Sequence, residues 1–214
     1  MTTRKVKFAN KEIYHIYNRG VDKRKIFSNQ KDLDRFFQSI LAFNCVEPVG
    51  SLHEQSFQKD KIKKPLVQFV VYNLLPNHFH FILEQVTEGG ISEFMKRLLG
   101  GYTWYFNKKN KRSGSLFQGT FKSKHVDSNE YLLHTSVYVN LNDKISLSGL
   151  TAKLTKSSWN EYVNPNLCKL DEKICLGKDV VLEQFDSVED YKKFALSSLE
   201  DIRANKEKYK ELEE

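Results

Sequence analysis

Two short segments of the 214-residue chain carry residues whose types and spacing suit metal binding and nucleophilic chemistry. In HFHFILEQ, His78 and His80 stand two residues apart. On a strand, both rings project from one face, about 6–7 Å apart. Two such imidazoles can converge on one divalent ion. The plainer alternative is a pair of histidines on a half-exposed strand with no ligand. In SNEYLLHTSVYVNLN, Tyr138 and Asn142 are four apart and share one face of a helix. A phenol can serve as a covalent nucleophile, and an amide oxygen is a hard ligand beside two imidazoles. A core tyrosine followed by an asparagine at a helix C-terminus is the plainer alternative here.

The charge is distributed to match a polyanionic partner. The chain is +7 overall, yet residues 1–150 carry 23 basic and 13 acidic side chains, whereas 151–214 are net −3. The densest stretch, 101–126, holds Lys108, Lys109, Lys111, Arg112, Lys122 and Lys124 with no acidic residue. Tyr102, Trp104, Tyr105, Phe106, Phe117 and Phe121 are interleaved with them. Lysine and arginine neutralise phosphates, and aromatic faces stack on unpaired bases. The same pattern also describes a solvated rim over core aromatics.

The elements that must position these groups follow from periodicity. EIYHIYN (12–18) alternates and reads as a strand, followed by the polar loop RGVDKRKIF. Leu33, Phe36, Phe37, Ile40 and Leu41 fall at helical spacing over 31–44, with Asn29 as N-cap. Residues 46–64 read as an exposed loop. Segments 66–75 and 78–85 form a hairpin around Pro76-Asn77, with Phe79 and Phe81 facing away from the histidines towards covering helices. A helix over 91–107, a short strand near 116–126 and a helix over 128–142 follow. The last of these starts without a capping box and rests on its apolar stripe. An irregular stretch (about 145–180) and a charged helix (about 187–212) complete the chain. The order β-α-β-β-α-β-α predicts an α+β fold, one antiparallel sheet with helices on one face.

YNLLPNHFHFIL, GGYTWYFNKKNKRSGSLFQGTFKS and YLLHTSVYVNLN, in that order, resemble the single-tyrosine HUH transposases. The resemblance is nearest to the branch called REP-associated tyrosine transposases. The opening YHIYNRGVDKRKIF fits the same pattern, so the likeness runs from about 12 to 142. It implies a ferredoxin-like HUH endonuclease fold over 1–145, with 146–214 as a C-terminal extension. It implies that His78, His80 and Asn142 hold Mg²⁺ or Mn²⁺, and that Tyr138 attacks single-stranded DNA to give a 5′-phosphotyrosine and a free 3′-OH. Arg19, Lys23 and Arg24, in the loop after the first strand, would contact DNA together with Lys108, Lys109, Lys111, Arg112, Lys122 and Lys124. Two departures stand out: Asp143 where the family usually has Pro, and Thr120 where it often has Arg. His134 lies one turn before Tyr138 and reads as an exposed histidine. His15, His53 and His125 have no assignment, although His15 lies on a strand that can border the site.

Three functions compete on this reading. The first is a metal-dependent DNA strand transferase acting on hairpin or inverted-repeat ends, as a monomer in preference to a homodimer. The second is a non-catalytic nucleic-acid-binding module of the same fold. The third is a replication initiator or relaxase, which usually needs a longer chain. An apolar fraction of 40% excludes global disorder. No run is long and apolar enough for a membrane span, and no secretory signal is evident at the N-terminus. Three cysteines without CxxC spacing argue against a disulfide framework and fit a cytoplasmic protein.

Overall fold

A computed structural model describes residues 7–48, 50, 64–146, 154–169 and 173–205. Most of the polar 46–64 stretch, with His53, lies outside them, as do residues 206–212 of the charged helix expected from the sequence.

Five antiparallel strands form one sheet in the order β4-β1-β3-β2-β5. They are β1 (Ile13–Arg19), β2 (Val67–Leu75), β3 (His78–Gln85), β4 (Lys122–His125) and the two-residue β5 (Lys156–Ser157). Strands β2 and β3 are joined through Pro76 and Asn77, the shortest connection an antiparallel pair permits. Consequently β3, with both histidines, lies in the middle of the sheet.

Helices α1 (Gln30–Phe43) and α2 (Gly90–Lys109) cover one face. The α1 N-terminus is fixed where the sequence predicts, with the Asn29 side chain accepting from the Asp32 amide at 3.2 Å. Phe79 and Phe81 point to this side and are fully buried with Phe36, Phe69, Phe94 and Phe117. The two long helices therefore sit as the strand alternation requires.

The other face gains a layer of its own. Helix α3 (Asn129–Asn140) lies against Val70, Val71 and Ile82. It is backed by α7 (Val188–Ala204) through Tyr191, Ala195, Leu199 and Ile202. Between them come the short helices α4 (Asn142–Ser146), α5 (Trp159–Val163) and α6 (Asp179–Leu182). Being sandwiched, α3 buries residues on successive positions from Thr135 to Asn140, which explains its weak apolar stripe. Ser128 caps it through the Tyr131 amide at 3.2 Å, so a single serine suffices without a capping box. The helix ends at Asn140, two residues earlier than periodicity suggests, and Asn142 opens α4.

One irregularity decides which residues face the second layer. The β2–β3 register shifts between Phe69 and Val71. Before this bulge the odd positions Val67 and Phe69 join the α1/α2 core, and after it the even positions Tyr72 and Leu74 do. The extra residue reverses the alternation. Asn73 is thereby turned to the face that carries His80, its direct partner across the strands.

Candidate active site

Register brings a row of polar side chains together across the sheet. Lys122 pairs with Tyr17, Tyr17 with His80, His80 with Asn73, and Asn73 with Ser157. Beside that row His78 pairs with Arg19, and His15 pairs with Lys124. The rings of His78 and His80 lie 5.1 Å apart between centroids, edge to face, so they do share one face of β3. The half-buried His78 is hydrogen-bonded through Nδ1 to Asn77 Oδ1 at 2.7 Å. His80 is only 1% exposed, because α3 covers it.

His15, unassigned from the sequence although its strand can border the site, is brought against His80. Its Nε2 lies 3.0 Å from His80 Nδ1, and the two rings stack with centroids 5.2 Å apart. Tyr17 stacks on both. Burial, helped by the positive charge of Lys124, pushes the His15 pKa down to about 3. Burial, then the neighbouring His78 and His15, hold His80 well below the usual histidine range. Both rings are therefore neutral near pH 7. In the tautomer with His80 Nδ1–H donating to His15 Nε2, the Nε2 lone pair of His80 is available. That Nε2 is buried and has no hydrogen-bond partner among the described residues. A metal-bound imidazole shows this pattern, one nitrogen anchored and the other presented. The signal in the sequence was the shared parity of His15, Tyr17 and Arg19 on β1, but their partners depended on an unknown register.

The second layer delivers the phenol. Tyr138, 1% exposed, sets its ring edge-on to His80 at 5.8 Å between centroids. Asn142 is fully buried at the start of α4. Its neighbour Asp143 accepts from Asn73 Nδ2 at 3.3 Å, and the same Nδ2 donates to the Val139 carbonyl at 2.8 Å. The end of the tyrosine helix is thus tied to the strand beside His80. Asp143, the departure from the expected Pro, takes part in that tie. His134 is exposed and packs near Phe194 of α7, away from the imidazoles.

A cleft of about 180 Å³ opens next to the histidines. Arg19, Lys23, His78, His80, Gln118 and Lys122 are among its lining residues, whereas Tyr138 is not. Arg19 Nε donates to Gln118 Oε1 at 2.6 Å. Lys23 belongs to a tight 3₁₀ turn, Val21–Lys23, in which Asp22 and Lys23 adopt positive φ. Gly20 admits this turn, since a Cβ there would meet the Arg24 carbonyl oxygen at 2.2 Å. Arg24 folds back onto Val21 O and Asp22. Lys122 and Lys124 alternate with Ser123 and reach the His80 face, as their spacing predicts.

The 108–112 group divides. Lys108 and Lys111 are exposed, with Lys108 over the ring of Trp104 at 4.9 Å. Trp104 is itself 63% exposed. Lys109 is engaged by the buried Asp32, and Arg112 binds Asn107 Oδ1 and the Ser115 carbonyl. Tyr102, Phe106, Phe117 and Phe121 belong to the core.

Among the described residues no three His, Cys, Asp or Glu side chains converge on a metal position. An ion at His78 and His80 would therefore need neutral oxygen donors as well. The buried lone pair of His80 fits such a group.

Paired histidines on the central strand of an antiparallel sheet, with a helix-borne tyrosine against one of them, are what the resemblance to single-tyrosine transposases leads one to expect. The family described as "Transposase IS200 like" matches residues 9–142, and the chain belongs to it. The match begins just before β1 and ends at Asn142, so it takes in the whole row of site residues apart from Ser157. The fold is shared with a solved REP-associated tyrosine transposase bound to a REP hairpin. The two are 13% identical, with a TM-score of 0.52, covering 80% of this chain and 90% of the other. No curated protein matches the sequence. Among the described residues no helix is long and apolar enough to cross a membrane.

Proposed function

We propose that the protein is a transposase-like endonuclease and strand transferase of single-stranded DNA, with Tyr138 as nucleophile. The observation that carries this reading is the contact of Tyr138 with His80 inside one chain, on the sheet face that also bears His78 and a basic cleft. In the reaction, a bond forms between the Tyr138 phenolic oxygen and the phosphorus. The bond from phosphorus to the 3′-oxygen breaks, the phenolic proton leaves, and the departing oxygen takes one up as a 3′-OH. The resulting 5′-phosphotyrosine keeps the ester for rejoining. His78, His80 and Asn142 would hold the ion, Mg²⁺ or Mn²⁺. A divalent ion there supplies Lewis-acid polarisation of the scissile phosphate. The protein's own residues do the rest. His15 orients His80, Asn73 and Asp143 hold the tyrosine helix, and Arg19, Lys23, Lys122 and Lys124 receive the phosphates.

The shared fold of a REP-hairpin complex supports hairpin or inverted-repeat ends as the substrate. Because tyrosine and histidine meet within one chain, the reading favours a monomer. Three cysteines without CxxC spacing support a reducing, cytoplasmic setting.

The test is incubation of the full chain with labelled single-stranded hairpin DNA and Mn²⁺, followed by a denaturing gel. Wild type is expected to give a protein–DNA adduct and Tyr138→Phe none, since the ring still packs but the attacking oxygen is gone. An undiminished adduct would move the nucleophile elsewhere, Tyr131 first. DNA binding with no adduct in wild type would leave the non-catalytic binding module of the same fold as the reading.

A further inference from the structure

Asn73 has no counterpart among the residues assigned above from sequence. It is fully buried, sits directly opposite His80 on the neighbouring strand, and shares the His80 face because of the bulge between Phe69 and Val71. Opposed residues of an antiparallel pair hold their Cβ atoms about 4.5–5.5 Å apart. The orientation of its amide is fixed by chemistry. The group that meets both the Val139 carbonyl and the Asp143 carboxylate must be the NH₂, because neither oxygen donates. The amide oxygen is then the atom left over. It is buried without a hydrogen-bond partner among the described residues, as is Nε2 of His80. A buried carbonyl left without a partner forfeits its hydration and destabilises the fold. In the tautomer that makes Nε2 of His80 an acceptor, two orphaned acceptors on directly opposed residues can both be satisfied by one cation.

We propose that Asn73 contributes its amide oxygen to the divalent-ion site of His78 and His80, as a ligand of the ion or of one of its bound waters. This inference rests on the metal-dependent reading above and adds a strand-borne oxygen to the helix-borne Asn142. Small hard cations take neutral carbonyl oxygens and keep waters, so such a ligand suits Mg²⁺ or Mn²⁺. One side chain then does two jobs. Its nitrogen ties down the end of the tyrosine helix, and its oxygen faces the ion.

The two jobs separate experimentally. Mn²⁺ affinity of the full chain, without DNA, is measured by the EPR signal of free Mn²⁺, well below the unfolding temperature of every variant. Wild type should bind, and His80→Ala should lose binding. Asn73→Val, which suits a strand and has no side-chain oxygen, should weaken Mn²⁺ about tenfold. Asn73→Asp loses the donor to Val139 but keeps an oxygen, so it should bind Mn²⁺ at least as tightly as wild type despite a lower unfolding temperature. Asn73→Ala repeats the comparison should the valine variant fail to fold.

Affinity within twofold of wild type in the variant lacking the oxygen, with His80 dependence intact, overturns this inference alone. Equal weakening in the aspartate and apolar variants also overturns it, because it assigns the effect to the helix tie. Absence of Mn²⁺ binding in wild type, or binding indifferent to His80→Ala, overturns the metal site and this inference with it.

Discussion

Single side chains in this protein are asked to be neutral, buried and chemically available together, and desolvation enforces that state. His15 and His80 are held uncharged by burial, which leaves lone pairs where an ion could use them. Glu161 shows the same force on a carboxyl outside the site. Its Oε2 accepts from the Ile174 and Cys175 amides at 3.0 and 2.9 Å, yet burial raises its pKa above the usual carboxylate range. A folded pKa above the unfolded one stabilises the fold at low pH, and that contribution is lost as pH rises through the folded value. Glu161→Gln cannot titrate and should not show this loss. Its unfolding temperature relative to wild type should therefore rise between pH 4 and pH 7, as followed by circular dichroism. A constant difference across that range would show that the carboxyl ionises as easily in the folded chain as in the unfolded one.

At the level of elements, the site depends on connections that are short or internally tied. Gly20 lets β1 turn sharply into the Val21–Lys23 segment that carries Lys23 to the cleft. Gly20→Ala drives a methyl group into a backbone oxygen and should cost about 2 kcal/mol or more in denaturant titration. Weaker DNA binding should accompany it. The tyrosine helix is held from its outer side by a buried chain of hydrogen bonds. Asn140 Nδ2 donates to the Tyr191 oxygen at 2.9 Å, and Ser158 Oγ donates to Asn140 Oδ1. Ser158 Oγ also accepts from the Tyr72 amide at 3.0 Å, which joins the network to β2. Tyr191→Phe leaves the Asn140 donor unsatisfied and should cost about 1–3 kcal/mol. Faster amide exchange along α3 is the sign that the loss is felt in the helix carrying Tyr138. Unchanged exchange there would confine the role of Tyr191 to α7.

Over the whole molecule, charge and shape are partitioned. Arg19, Lys23 and Lys122 of the basic first 150 positions line the cleft, Lys108 and Lys109 lie in the last turn of α2, and the net negative remainder supplies α5 to α7 on the outer side of the tyrosine helix. Binding to single-stranded DNA should weaken with salt, by about 0.7 in the log–log slope per phosphate contact. The structure ranks the lysines for this effect. Lys108→Ala with Lys111→Ala should reduce the slope by about 1.4. Lys109→Ala should mainly lower stability, because it withdraws the partner of buried Asp32. A slope that responds to Lys109 and ignores the exposed pair would reverse that ranking.

Local periodicity was enough to read the hairpin that carries His78 and His80, their common face, the burial of Phe79 and Phe81 on the other, and a helix bearing Tyr138. Each of these depends on neighbours within a few residues, and alternation or the 3.6-residue repeat records them directly in the chain. The motif order around them also sufficed to indicate the transposase family. Strand register, the bulge and the stacking of a second layer are set by partners far away in sequence, and no local pattern encodes them. Only the tertiary structure could set His15 against His80, give Lys109 to Asp32, or end the tyrosine helix at Asn140. Asn73 is the clearest case. Simple alternation along β2 would keep it on the same side as Val67 and Phe69, in the apolar core. One extra residue in the strand turns it to the histidines instead.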